Sequence, residues 1–334
     1  MNTLSIEVVQ YIIFEFGLDP LSILNFALSS KTMHFNVLGP IDSPNEHDRN
    51  KHKMMAGLKF CIQKGWLPAC RLFCRKNKFP FSLSGKMATA AVEQNCCLTL
   101  EVVFQKYSFI FEKKVARLGK FEYFIGSQLV KMCIEKCYID CFNVFMKYDC
   151  IDFSKNGFAQ LCVTSNFPHG VNMFMQLGDY DYSCDENKNL LHACINGYHE
   201  VVSLLLEVPG VYVGARHRHG IKASVTSGHI KTVRALEPYF SKDDANFAFC
   251  MASEYGQKEV FVEMMSNDKV EAWCLENYAI REAAANGHHE IVSLLLQMPG
   301  VDPCDCDNYA LRYARENEHT QTVNVLLADP RVND

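Results

Sequence analysis

Asn277-Tyr-Ala-Ile-Arg-Glu-Ala-Ala-Ala-Asn-Gly-His returns 31 residues later as Asn308-Tyr-Ala-Leu-Arg-Tyr-Ala-Arg-Glu-Asn-Glu-His. A third copy, Ala193-Cys-Ile-Asn-Gly-Tyr-His-Glu-Val-Val-Ser-Leu-Leu-Leu, keeps the small residue, the Asn-Gly turn and the apolar run behind it. Taking the glycine of this tract as an anchor and moving outward places anchors at Gly65, Asn95, Cys137, Asn166, Gly197, Gly228, Gly256, Gly287 and Glu318, spaced by 30, 42, 29, 31, 31, 28, 31 and 31 residues.

A true repeat register puts the same environment at the same offset in every copy. Four residues before the anchors stand Cys61, Ala91, Cys133, Cys162, Ala193, Ser224, Ala252, Ala283 and Ala314, all small. Five and eight residues after them every position is apolar, Val202 and Leu205 or Val292 and Leu295 for example. This pattern predicts a first helix approached closely at its small residue, a tight turn at the anchor, and a second helix buried along its i, i+3 face. Neither helix hides its stripe alone, so successive pairs must stack into a one-dimensional core. The expected fold is all-α, a helical solenoid of about nine helix pairs over residues 52–334.

The unit resembles an ankyrin repeat. Gly287-His-His-Glu-Ile-Val-Ser-Leu-Leu-Leu is close to that family's second-helix signature, while Tyr278-Ala-Ile-Arg-Glu-Ala and Tyr309-Ala-Leu-Arg-Tyr-Ala fill the slot of its Thr-Pro-Leu-His-x-Ala tract poorly. Units of 31 residues ending in Met298-Pro-Gly-Val-Asp-Pro or Ala328-Asp-Pro-Arg-Val-Asn look like the divergent ankyrin arrays of large DNA viruses that infect amoebae. The 42-residue step carries surplus sequence around residues 107–126, expected to form a longer first helix or an extra turn.

Residues 1–38 stand outside the repeat, and residues 39–51, beginning Gly39-Pro-Ile-Asp-Ser-Pro, read as a linker. Leu4-Ser-Ile-Glu-Val-Val-Gln-Tyr-Ile-Ile-Phe-Glu-Phe predicts one apolar helix; Asp19 then caps a second that starts at Pro20. A pair this small cannot bury Val8, Val9, Ile12, Ile13, Leu21, Leu24 and Leu28 by itself, so it must dock on something. Its order of residues resembles an F-box. That resemblance implies a contact with the Skp-type subunit of an SCF ubiquitin ligase through Leu4, Val8, Val9, Ile12, Ile13, Pro20, Leu21, Leu24 and Leu28. Ser5 replaces the usual proline, and the alternative is that these helices only cap the first repeat.

Composition narrows the remaining classes. The chain has 334 residues, 49% of them hydrophobic, and a net charge of −5, which excludes wholesale disorder and gives no electrostatic footprint for nucleic acid. No basic leader opens the chain and no apolar run reaches the roughly 18 residues of a membrane span. The expectation is a cytoplasmic protein, in a host cell's cytoplasm if viral, whose 16 cysteines are reduced thiols packed as small hydrophobes. Cys304-x-Cys306 and the run Cys133, Cys137, Cys141 are the nearest approaches to a zinc site and lack converging ligands. Phosphate-loop, dinucleotide and nucleophile-elbow motifs are absent from the sequence, so no catalytic residue, metal or cofactor is expected.

The expected activity is therefore protein binding. Either the chain is a receptor bringing a target to an SCF-type ligase, or it is an ankyrin scaffold or sequestering antagonist of host signalling with no ubiquitin role. Ankyrin-type arrays bind through inter-repeat tips and the exposed side of the first helix. Lys59, Lys131, Lys222, Arg281 and Arg312 fall there, six residues before their anchors. With Tyr278, Tyr309 and His217, Arg218 and His219, read as an inter-repeat loop, they form the candidate target-binding strip.

Overall fold

The computed structural model describes residues 81–111, 120–148, 153, 157–178 and 180–332. The F-box-like residues Leu4 to Leu28, the linker and the unit anchored at Gly65 lie outside the described residues. Among the described residues the secondary structure is all helical, sixteen α-helices in eight antiparallel pairs. The pairs are α1 (Phe81–Glu93) with α2 (Cys97–Phe111), α3 (Lys120–Glu135) with α4 (Ile139–Lys147), α5 (Phe158–Thr164) with α6 (Pro168–Leu177), and α7 (Cys184–Ile195) with α8 (His199–Leu206). They continue as α9 (Ala215–Thr226) with α10 (Ile230–Leu236), α11 (Lys242–Glu254) with α12 (Lys258–Met265), α13 (Cys274–Ala285) with α14 (His289–Leu295), and α15 (Asp305–Glu316) with α16 (Thr320–Leu327).

The chain divides into two compact units, Met1–Phe158 and Ala159–Asp334. Within the first, α1 packs beside α3 and α2 beside α4. In the second, first helices pack on first helices from α7 through α9, α11 and α13 to α15, and second helices on second helices from α6 to α16. Within each unit this is solenoid stacking, in which each described repeat packs on its neighbours.

Every anchor among the described residues is the turning point between two helices. Asn95, Cys137, Asn166 and Glu318 take φ of 49°, 54°, 52° and 61°, and the glycines at 197, 228, 256 and 287 take 67° to 79°. In all eight, the N–H of the residue after the anchor donates to the carbonyl four residues before it, at 2.7–2.9 Å. That 6→1 bond with a left-handed residue is a Schellman turn, which satisfies carbonyls the ending helix would leave orphaned. The small residue four before the anchor is therefore both the turn's acceptor and the point of closest packing. Ala91, Cys133, Cys162, Ala193, Ser224, Ala252, Ala283 and Ala314 are completely buried. Ser224 is tolerated because its hydroxyl donates to Gly220 O at 2.8 Å.

A second device joins consecutive repeats. The residue after an anchor reaches back to the carbonyl two before the preceding anchor: His229 to Ile195, His288 to Glu254 and His319 to Ala285, with Nε2 donating over 2.9–3.1 Å. Gln257 does the same to Thr226 O at 2.8 Å. Each such bond contributes about 1 kcal/mol and fixes the stacking phase.

The surplus between Asn95 and Cys137 is taken up on both sides of residues 112–119, which lie outside the described residues. The second helix α2 runs for 15 residues and the first helix α3 for 16, against 7 to 13 in the other helices. Burial raises the thiols of Cys141 and Cys194 to about 12, and no disulfide joins the described cysteines.

Candidate protein-interaction surface

The first helices bury one face and turn the other outward. In α13 the buried residues are Asn277, Ala279, Ile280, Ala283 and Ala284, and in α15 they are Ala310, Leu311 and Ala314. Tyr278, Arg281 and Glu282, and likewise Tyr309, Arg312 and Tyr313, fall on the opposite face at i, i+3 and i+4 spacing. Stacking two repeats interleaves these side chains into a ladder.

The guanidinium of Arg281 lies 5.0 Å from the ring centre of Tyr309 and 6.0 Å from that of Tyr278, so it bridges the two repeats. Tyr309 stacks on Tyr313 with centroids 4.1 Å apart, and Arg312 covers Tyr313 at 5.9 Å. Cation–π contacts of this kind contribute about 0.5–1 kcal/mol at exposed sites and hold long side chains in place. One further bond restrains each arginine: Arg281 Nη2 donates to Leu275 O at 3.1 Å and Arg312 Nη2 to Cys306 O at 3.5 Å. Among the described residues neither guanidinium joins an ion pair, and Arg281 Nε is buried without a partner.

The carbonyls that receive these bonds come from an unusual backbone. Leu275, Glu276 and Asn277 have φ of 53°, 56° and 56°, and Cys306, Asp307 and Asn308 have 53°, 58° and 57°. A left-handed turn of non-glycine residues costs about 1 kcal/mol or more per residue. Asn277 ties it down by accepting from Asp302 N–H at 2.9 Å and donating to Asp305 Oδ2 at 2.7 Å. That donation leads in holding the Asp305 carboxyl below its ordinary value, with burial opposing it.

The phenols are donors within the ladder. Tyr278 donates to Glu254 at 2.7 Å and Tyr309 to Glu282 at 3.4 Å. Burial, followed by the adjoining carboxylates, raises both phenols above their usual range, so both stay protonated at neutral pH. The surface is thus an aromatic and cationic ladder with acidic edges, not a purely basic strip.

The other candidates are placed less uniformly. Lys222 is exposed, 5.9 Å from the ring centre of Tyr255, and His219 is exposed. The stretch from His217 to His219, read as a loop, belongs to helix α9, and the His217 side chain lies outside the described residues. Arg218 is half-exposed and already paired within the chain: its Nε donates to Asp244 Oδ1 at 2.6 Å. Asp244 also accepts from the hydroxyl and N–H of Ser241, completing the capping box that starts α11. In the first unit, Lys131 lines an open groove of about 460 Å³ between α1 and α3, with Thr89, Glu93 and Glu135. Sequence reasoning missed Tyr313, although its place one residue after Arg312 on a first helix was legible.

Residues 249–334 match the family model for ankyrin repeats in three copies. These residues are an ankyrin-repeat region. No curated protein matches the chain. The arginine and tyrosine ladder lies inside the ankyrin-repeat region, on first helices of consecutive repeats. Among the described residues no cluster of three or more His, Cys, Asp or Glu side chains is arranged to hold a metal ion, and no helix is long and apolar enough to cross a membrane. What the region offers is a stacked-helix scaffold with a patterned face.

Proposed function

We propose that the protein is a binding scaffold that holds a protein target against the exposed face of its first helices, centred on Tyr278, Arg281, Tyr309 and Arg312. The observation that carries this reading is the pair of guanidiniums, each fixed by an aromatic ring and a backbone carbonyl yet without a direct ion pair among the described residues, the nearby Asp305 carboxylate acting on Arg281 only through its field. Preorganised arginines beside tyrosines suit a segment whose acidic groups face Arg281 and Arg312 and whose apolar groups lie on the rings. Lys222 and His219 extend the same face toward the amino-terminal repeats. The test is Arg281→Glu combined with Arg312→Glu. Two charge-assisted hydrogen bonds lost at about 1.5–3 kcal/mol each weaken target capture by about two orders of magnitude or more. Arg312 is exposed and contributes little to folding, whereas half-buried Arg281 also loses its ring and carbonyl contacts, so circular dichroism first establishes that the double variant is folded and the capture loss is read against Arg312→Glu alone. Undiminished capture moves the binding face elsewhere.

A second reading rests on residues 1–38. Their F-box-like order, from Leu4, Val8, Val9, Ile12 and Ile13 to Pro20, Leu21, Leu24 and Leu28, supports a substrate receptor that docks a Skp-type subunit while the repeats hold the target. The contribution to ubiquitin transfer would be proximity alone. Co-purification of a Skp-type subunit with the full chain supports it. Failure of that subunit to bind leaves the scaffold, or a sequestering antagonist, as the function.

A further inference from the structure

Cys250 and Cys274 come from consecutive repeats and meet. Cys250 lies on α11, six residues before the Gly256 anchor, the register position that Arg281 and Arg312 hold in later repeats; here the side chain is buried. Cys274 opens α13 and is half-buried, between exposed Trp273 and exposed Leu275. Their sulfur atoms are 3.5 Å apart and hydrogen-bonded. One thiol is thus within reach of solvent and the other is sealed behind it. That is the arrangement of an attacking cysteine with a resolving partner.

The electrostatics separate the two roles. The hydrogen bond from Cys250 lowers the Cys274 thiol below its ordinary value; its own backbone N–H helps, while burial and Glu271 oppose. The same bond, together with burial, raises the Cys250 thiol. The more accessible sulfur is therefore the more readily ionised, and a thiolate is the nucleophile in sulfur oxidation.

We propose that Cys250 and Cys274 are a hydroperoxide-responsive dithiol that closes to a disulfide between neighbouring repeats. The Cys274 thiolate attacks a hydroperoxide oxygen and the O–O bond breaks. The departing alkoxide, or hydroxide when the oxidant is hydrogen peroxide, takes up the thiol's proton, and Cys274 becomes a sulfenic acid. Cys250 sulfur then attacks Cys274 sulfur, the S–O bond breaks, and water leaves with the Cys250 proton. In total two thiols and one hydroperoxide give one disulfide, one alcohol or water, and one water. The bridge closes a loop around α12 and ties α11 to the start of α13. One helical turn from it, Tyr278 of α13 donates to Glu254 of α11, so the lock bears on the edge of the ladder. The inference stands apart from the choice of target.

The test treats the reduced full chain with hydrogen peroxide, quenches with an alkylating agent, and reads digests by mass spectrometry. Exposed Cys137 serves as the internal reference. Expected are a linked peptide joining residues 250 and 274, formed before Cys137 is oxidised, and its loss in Cys274→Ala with Cys250 still alkylatable after unfolding. In Cys250→Ser the reaction stops at a Cys274 sulfenic acid that a 1,3-dione captures. Because Cys250 is buried, circular dichroism first establishes that this variant is helical; if it is not, Cys274→Ala alone decides. Recovery of both cysteines as alkylatable thiols from folded wild type, at a dose that has already oxidised Cys137, overturns the proposal. So does a 250–274 bridge that forms only in urea.

Discussion

Replacing Gly287 with alanine tests whether one repeat's turn is completed by the next. The residue has φ of 79°, and a Cβ built on it would sit 2.7 Å from His319 Nδ1 and 2.9 Å from Cγ and Cε1 of the same ring. Two costs follow. Holding an L-residue in the left-handed region costs about 1 kcal/mol. The ring must also swing away, and its Nε2 donation to Ala285 O at 3.0 Å is lost. A neutral hydrogen bond of this kind contributes about 1 kcal/mol. Asn317 Nδ2 also donates to Ala285 O, at 2.8 Å, so the carbonyl is not stranded and the second cost stays near that figure. Gly287→Ala should therefore destabilise by about 2 kcal/mol, read as a shift in the urea midpoint at constant slope. In a His319→Ala background the ring is already gone, and the same change should cost only the conformational share, about 1 kcal/mol. The coupling of about 1 kcal/mol is the signature of contact between repeats. Equal costs in both backgrounds would refute the argument that the glycine is there to admit the histidine.

Leu205→Ala empties a fully buried site on α8 and should cost about 2–5 kcal/mol, and Ala283→Leu should also destabilise because its slot has no room; wild-type melting of the latter would discredit the register. Burial raises the Asp244 carboxyl, but hydrogen bonds from Ser241 and Arg218 prevail and hold it below its ordinary 3.8. The stability it contributes is therefore complete above that value and lost as pH falls through the lower folded one, so acid titration of Asp244→Asn should lack this part of the wild-type decline. Ile12→Asp with Leu24→Asp separates ligase docking from capping. Docking predicts unchanged melting with loss of the Skp-type subunit, and capping predicts fraying of the array from its amino-terminal end.

The repeat was legible because its constraints recur with the chain's own period. A left-handed turn at Asn95, Cys137 or Glu318 is invisible in any one copy, yet alignment on Gly287 exposes all of them, and the buried slot at Cys133 or Ser224 follows by offset. Contacts between different residue types on adjacent repeats carry no such signal. The Arg218 to Asp244 pair spans 26 residues and matches no repeat spacing, so its charge looked available. The contact of Cys250 with Cys274 spans 24 residues and likewise matches no repeat spacing. The left-handed stretches in the first turns of α13 and α15 were hidden differently: Leu275 and Glu276 are ordinary helix formers, and the Asn277 bonds to the next repeat that tie the first stretch down leave no mark in the sequence.

The back-reaching side chains at His229, Gln257, His288 and His319 give the array a form of inheritance. Each of these four units carries a donor for the unit before it, always at the same phase. Recombination that duplicates or deletes one whole period in the coding sequence restores every lock without a compensating substitution. Copy number can drift while the joints stay intact, because the lock depends on the spacing and not on the rest of the repeat's sequence.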